Sequence, residues 1–256
     1  MQFIGFVNTV SLPDSVLPYG LYVREIDLTP VNKYGVDMRV RKLIRYCPNL
    51  VSITLGQATS VKADTLQLMG RYCQNVHTLE MGGMISFPFM FDCDFSGMIG
   101  LRRLSLLTTP VQSTSLNTIP SSIRHLQIAQ LDALQHGEFV TFLKQHPRLI
   151  SLSVKRCRHI NSDFAALILQ LPKLSILELI GPEVNDESLK GFFDIPTQLH
   201  TLILRQTQIT DATLRMFADG CLVVQNLDIT NNAHVSQRGI DALLRKKKFE
   251  KISSNL

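Results

Sequence analysis

The chain has 256 residues, 45% of them hydrophobic, with 26 Lys+Arg against 21 Asp+Glu and a formal net charge of +5. That apolar share is enough for a sizeable core, and no run approaches the roughly 18 consecutive apolar residues of a membrane span. Five cysteines, an odd number, follow a start (MQFIGFVNTVSLPDS) with no basic residue ahead of its short apolar stretch, so reduced thiols and a cytoplasmic or nuclear location are expected rather than a secreted disulfide framework.

Along the chain one strand phrase, an aliphatic residue followed by x-x-Leu/Ile-x-Leu, returns ten times. It reads VREIDL from Val23, LVSITL from Leu50, VHTLEM from Val76, LRRLSL from Leu101, IRHLQI from Ile123, LISLSV from Leu149, LSILEL from Leu174, LHTLIL from Leu199, VQNLDI from Val224 and, more weakly, FEKISS from Phe249. Successive starts lie 27, 26, 25, 22, 26, 25, 25, 25 and 25 residues apart, inside the roughly 20 to 29 residue period of leucine-rich repeats. The predicted fold is therefore α/β, a right-handed leucine-rich repeat solenoid or horseshoe with a parallel sheet on its concave face and helices on its convex face. Residues 1–22 are expected to form a linker or cap, and residues 23–256 a domain of about ten repeats sharing one elongated core.

Each unit has its own physical logic. In LISLSV, Leu152 and Val154 share one face of the strand while Ser151, Ser153 and Lys155 share the other. A polar cap follows (Ser162-Asp163, Asn185-Asp186, Thr210-Asp211, Ser236), whose oxygens accept from the free amides opening a helix. The helices carry apolar stripes at i, i+3, i+4 and i+7: Val40, Leu43, Ile44 and Cys47; Phe164, Leu167, Ile168 and Leu171; Leu214, Phe217, Ala218 and Cys221. Cys47, Cys73 and Cys221 stand at the closing turns of helices, where a small buried group fits. Cys157 stands where the backbone turns out of a strand, and Cys93 has no structural slot and reads as a loop thiol.

The regularity breaks between Met81 and Ile123, where one repeat has only 22 residues and the crossover is expected to be extended or a single turn. Two readings stay open there: an irregular repeat that absorbs an insertion, or a protruding aromatic loop built from Phe87, Phe89, Phe91 and Phe95.

No G-x-S-x-G elbow, phosphate-binding loop, H-E-x-x-H or C-x-x-C pair occurs, so neither an enzyme nor a cofactor is expected. Asp92-Cys93-Asp94 is weak evidence for a cation, and no metal site is expected. The basic run RKKKFEK, Arg245 to Lys251, suits the C-terminus of a last helix or a nuclear-localisation or phosphate contact. Stacking aromatics do not interleave it, so nucleic acid is not expected as the main partner.

The stretches QTQITDATLRMFADGCLVVQNLDIT and CRHINSDFAALILQLPKLSILEL, with RYCPNL and RYCQNV, resemble the cysteine-containing leucine-rich repeats of fungal F-box proteins, ribonuclease-inhibitor-like units running C-x-x-I-T-D-x-x-L-x-x-L-x-x-x-C-P-x-L. The likeness spans Leu21 to Lys251, and FIGFVNTVSLPDSVLPYGLYVREIDLTPVN is similar to the segment joining F-box and repeats. The resemblance implies repeats that select the substrate of a cullin-RING ubiquitin ligase for degradation. The F-box itself has no counterpart in the 22 residues ahead of Val23, so ligase components are partners only if one lies upstream. The alternative is a stand-alone repeat scaffold with no ligase role.

In either case the side chains alternating with the buried leucines must face the open surface. Ile176, Ile180 and Ile203, flanked by Lys155, Arg156 and Arg205, with Glu178 among them and Arg103 on an earlier strand, form the candidate partner-binding face. An apolar group rimmed by charge has the anatomy of an interaction hot spot, and the chain is expected to be a monomer whose partner is a protein with an acidic or phosphorylated segment and an apolar anchor.

Overall fold

A computed structural model describes residues 2–12, 17–31, 36–56, 61–82, 92–109, 111–160 and 164–254, in two compact units, Met1–Ile123 and Arg124–Leu256. The first unit contains α1 (Gln2–Val10), a 3-10 turn (Tyr19–Tyr22), β1 (Glu25–Asp27), α2 (Val36–Tyr46), β2 (Ser52–Thr54), α3 (Ala63–Tyr72), β3 (Thr78–Gly82), β4 (Arg103–Leu107) and a 3-10 helix (Ser113–Thr118). The second contains β5 (His125–Ala129), α4 (His136–Gln145), β6 (Ser151–Lys155), α5 (Phe164–Leu169), β7 (Ile176–Ile180), a 3-10 turn (Phe192–Asp194), β8 (Thr201–Arg205), α6 (Asp211–Asp219), β9 (Asn226–Asp228), α7 (Gln237–Lys246) and β10 (Lys251–Ser253). Within each unit every strand pairs in parallel with the next in chain order.

The register explains why the aliphatic phrase repeats. Leu152 pairs with Leu177, Leu177 with Leu202 and Leu202 with Leu227, and all four are at most 2% exposed. One sheet face is thus a continuous aliphatic ladder, closed by the helical stripes: Val40, Leu43, Ile44 and Cys47 are buried in the first unit, and Leu214 and Phe217 in the second. Rings stack between repeats as well, with Phe193 and Phe217 centroids 4.8 Å apart.

Polar side chains interlock successive repeats at the same spacing. Asp186 accepts from the Thr210 amide at 2.9 Å and from the hydroxyls of Thr210 and Thr213. Asp211 in turn accepts from the Ser236 amide at 2.8 Å and its hydroxyl at 2.6 Å. Thr210 and Ser236 also cap their own helices, accepting from Ala212 and Gly239 respectively, as their sequence position predicts. Asn232 spends its whole amide between two repeats: it donates to the Leu204 and Ile229 carbonyls and accepts from the Thr207 amide and hydroxyl.

Several expectations are corrected. Asn185 does not open an α-helix: its side chain accepts from the Ser188 amide, and the crossover continues in turns to Phe192–Asp194. Ser162-Asp163 lies outside the described residues. Cys93 is 1% exposed rather than a free loop thiol, because its amide donates to Ser115 Oγ at 2.7 Å and its carbonyl accepts from the Thr118 hydroxyl. Phe95 is fully buried, which removes it from any protruding loop; Phe87, Phe89 and Phe91 lie outside the described residues. Cys221 is exposed. Helix α6 closes one residue early, on Gly220, whose amide bonds the Met216 carbonyl and which has no room for a side chain against Phe193; Cys221 is displaced outward and Leu222 takes the buried place. The short repeat does cross over as the expected brief turn, Ser113–Thr118.

Leu177 tests the ladder. Leu177→Ala is expected to cost about 2–5 kcal/mol of stability through the cavity it opens, and Leu177→Asp to leave no cooperative unfolding transition, because it buries a charge without a partner. Chemical denaturation followed by circular dichroism measures both.

Candidate functional site

The open face of the second unit is built from three rows of side chains set by the register. One row holds His125, Ser151, Ile176, Thr201 and Asn226; the next Gln127, Ser153, Glu178, Ile203 and Asp228; the last Ala129, Lys155, Ile180 and Arg205. Ile176 is 38% exposed, while Ile180 and Ile203 are half-buried. Ile203 lies diagonally across β7 and β8 from both other isoleucines, and beside Glu178. The structure therefore brings the three isoleucines together, but with a carboxylate among them rather than only around them.

That carboxylate is held through one oxygen, Oε2. Glu178 accepts from the Ser153 hydroxyl at 2.6 Å and pairs with Lys155 at 2.9 Å. Arg205 makes a second pair, donating from Nε to Asp228 Oδ2 at 2.9 Å and also from its terminal nitrogen. The other Asp228 oxygen accepts from the Thr230 amide and hydroxyl. Arg156 differs from both cations: it is exposed, and it reaches across two repeats to the neutral amide of Gln206 at 2.7 Å. It stands at the first position beyond β6 with φ +49°, and Gln130 and Gln206 hold the same left-handed position after β5 and β8. Next to it a depression of about 390 Å³ is lined by Gln130, Asp132, Arg156, Arg158, Pro182 and Glu183. Arg103 belongs to the first unit, exposed on β4.

The alternation along the VQNLDI phrase also puts Asp228 on this face, but periodicity does not show that it holds Arg205, nor does it single out Gln206. The signals were spacings of 23 residues for Arg205 with Asp228 and 50 for Arg156 with Gln206. Of the basic run, Lys247 turns inward to donate to the Gly220 and Leu222 carbonyls. Asp92 accepts from the Thr114 hydroxyl and Asp94 from the Ser96 amide. Burial pushes the Cys47 thiol up to about 11 and the Cys73 thiol up to about 12, and it raises those of Cys93 and Cys157, so all four are poor nucleophiles.

No family model matches the chain. Among solved structures, a chain of the yeast Rad7 and Elc1 complex is 14% identical over 84% of this chain and 52% of that one, with a TM-score of 0.52. The leucine-rich repeat-containing protein LegL7 from Legionella pneumophila is 13% identical over 87% of this chain and 79% of its own, with a TM-score of 0.50. These likenesses concern the fold. The fold is an α/β leucine-rich repeat solenoid. The chain spans about half the length of the yeast chain.

The Asp228 carboxyl gives the face a pH signature. Burial pushes it up, but the bonds from Arg205 and Thr230 outweigh burial and hold it below its ordinary 3.8. A depressed value means the stabilisation is complete above 3.8 and is lost as pH falls through the folded-state value. Denaturant midpoints measured from about pH 5 down to about pH 2 should therefore fall more steeply for the native chain than for Asp228→Asn, which lacks this titration.

Proposed function

We propose that the chain is a protein-interaction module whose target docks on the open face of β6, β7 and β8. The observation that carries this reading is a surface already ordered before any partner arrives. Ile176, Ile180 and Ile203 offer apolar anchors, and the Lys155–Glu178 and Arg205–Asp228 pairs hold the long side chains between and beside them in place. Side chains fixed beforehand lose little entropy on binding, so more of the contact energy appears as affinity. Arg156 is the guanidinium on this face bound to a neutral partner, and an acidic or phosphorylated residue of the target would meet it as a charge-assisted hydrogen bond.

The finer reading is that these are the substrate-recognition repeats of an F-box subunit of a cullin-RING ubiquitin ligase. Units of the C-x-x-I-T-D type favour it, and likeness in fold to a chain of the Rad7 and Elc1 complex accords with it. A stand-alone scaffold is the second reading, favoured by an open face whose ion pairs, Lys155–Glu178 and Arg205–Asp228, are complete within the chain itself.

Affinity capture with the tagged chain, read by mass spectrometry, tests both. Ile180→Asp combined with Arg205→Glu should abolish capture of the target while the chain still unfolds cooperatively, at a lower denaturant midpoint because Asp228 loses its partner; unchanged capture by that variant removes the proposed face. Co-purification of a cullin adaptor selects the ligase reading, and target capture with no ligase component selects the scaffold.

A further inference from the structure

Four turns lead into the strands of the first unit, within residues 17–24, 45–51, 71–77 and 98–103; the second and third segments begin on the last two residues of α2 and α3, and the fourth ends on the first residue of β4. They form one continuous rim. Gly20 lies against the Tyr46 carbonyl so closely that a side chain there could not fit, and Asn49 donates to the Leu21 carbonyl at 2.9 Å. The His77 amide donates to Val51, and the Arg102 amide to His77, each at 2.8 Å. Neighbouring turns are thus one ladder step apart at the strands, about 4.8 Å.

The chemistry of this rim is one-sided. Up to the residue before each strand none of the four segments contains Asp or Glu, and each contributes arginine: Arg24, Arg45, Arg71 and Arg102, with Arg103 opening β4 and Glu25, the nearest acidic residue, opening β1. All five are exposed. The side chains of Arg45, Arg71, Arg102 and Arg103 make no hydrogen bond or ion pair among the described residues, whereas Arg41, Lys155, Arg205 and Lys246 all sit in ion pairs. Four of the chain's five tyrosines stand among these arginines: Tyr19, Tyr22, Tyr46 and Tyr72 are 45%, 71%, 41% and 40% exposed. Arg45-Tyr46 and Arg71-Tyr72 are the same element used twice, 26 residues apart.

We propose that this rim binds single-stranded nucleic acid, with the arginines on phosphates and the tyrosine rings stacked on bases. Uncompensated cations recurring once per repeat complement a polyanion. An acidic peptide would use the guanidiniums alone and leave the rings against water. An unpaired strand uses both, because every base presents a π-face and its backbone a regular series of charges. A duplex keeps its bases stacked inside and offers the rings nothing. In the basic C-terminal run the one aromatic, Phe249, packs against Phe217, whereas here the rings are exposed; this inference involves the first unit only, independently of the β6–β8 face.

Fluorescence anisotropy with labelled oligo-uridine of about 12 nucleotides tests it on the full chain. Binding is expected to weaken with salt, log affinity against log salt having a slope of about −3, since four phosphate contacts contribute roughly −0.7 each. Arg45→Glu with Arg71→Glu should reduce affinity at least about a hundredfold and flatten the slope. Tyr46→Ala with Tyr72→Ala should reduce it at least about tenfold with the slope unchanged, and the corresponding Phe pair should restore it, since the ring rather than the hydroxyl stacks. Ile180→Asp with Arg205→Glu should leave it unaffected, so a failure of the protein-docking face and a failure of this rim are told apart. Three results overturn the proposal: no binding at about 50 mM salt, equal affinity for a duplex of the same length, or equal competition by poly-glutamate with the Tyr→Ala pair binding as the native chain. The last identifies the rim as a surface for acidic protein instead.

Discussion

Everything in this molecule depends on lateral register: leucine beside leucine, one ladder step per repeat. A parallel strand has a side-chain period of two, so a slip of one residue would turn every buried aliphatic outward and every polar partner inward. The Leu152, Leu177, Leu202 and Leu227 series fixes that phase. Once it is fixed, the outward positions are not free to choose. Ile176, Glu178 and Ile180 must share one face, Lys155 must stand beside Ile180, and Ile180 beside Arg205.

The polar interlocks reinforce the same register from the helix caps between successive strands. Asp186 and Asp211 stand 25 residues apart, and each bonds the helix cap of the following repeat, Thr210 and Ser236 respectively. Aliphatic burial is non-directional and would tolerate small shifts. Carboxylate and amide hydrogen bonds are directional and weaken steeply once donor and acceptor move out of line. The two kinds of interaction are thus complementary: one supplies the driving force and the other selects the alignment.

Much of this was legible in the sequence, and the failures are physically instructive. Strand phase, helix stripes and the caps at Thr210 and Ser236 depend on local periodicity, which a sequence displays directly. The burial of Cys93 and Phe95 was not legible, because it depends on Ser115 and Thr118, more than 20 residues away in an irregular repeat. Cys221 kept the family spacing but was displaced because helix α6 ends early on Gly220, a choice made by close packing against Phe193. On the candidate face, the sequence showed which charges point outward but not that Glu178 and Asp228 neutralise Lys155 and Arg205. Pairing across strands is a matter of rotamer and reach, not of period.

The most direct test of the central claim is a cysteine scan of β7 in a Cys221→Ser background, read as the rate of maleimide labelling. Ile176→Cys, Glu178→Cys and Ile180→Cys should label readily in the folded chain, while Leu177→Cys and Leu179→Cys should label only on unfolding, alternating strictly along the strand. Labelling that is uniform across the five positions, or faster at 177 and 179, would contradict the register on which the whole account stands.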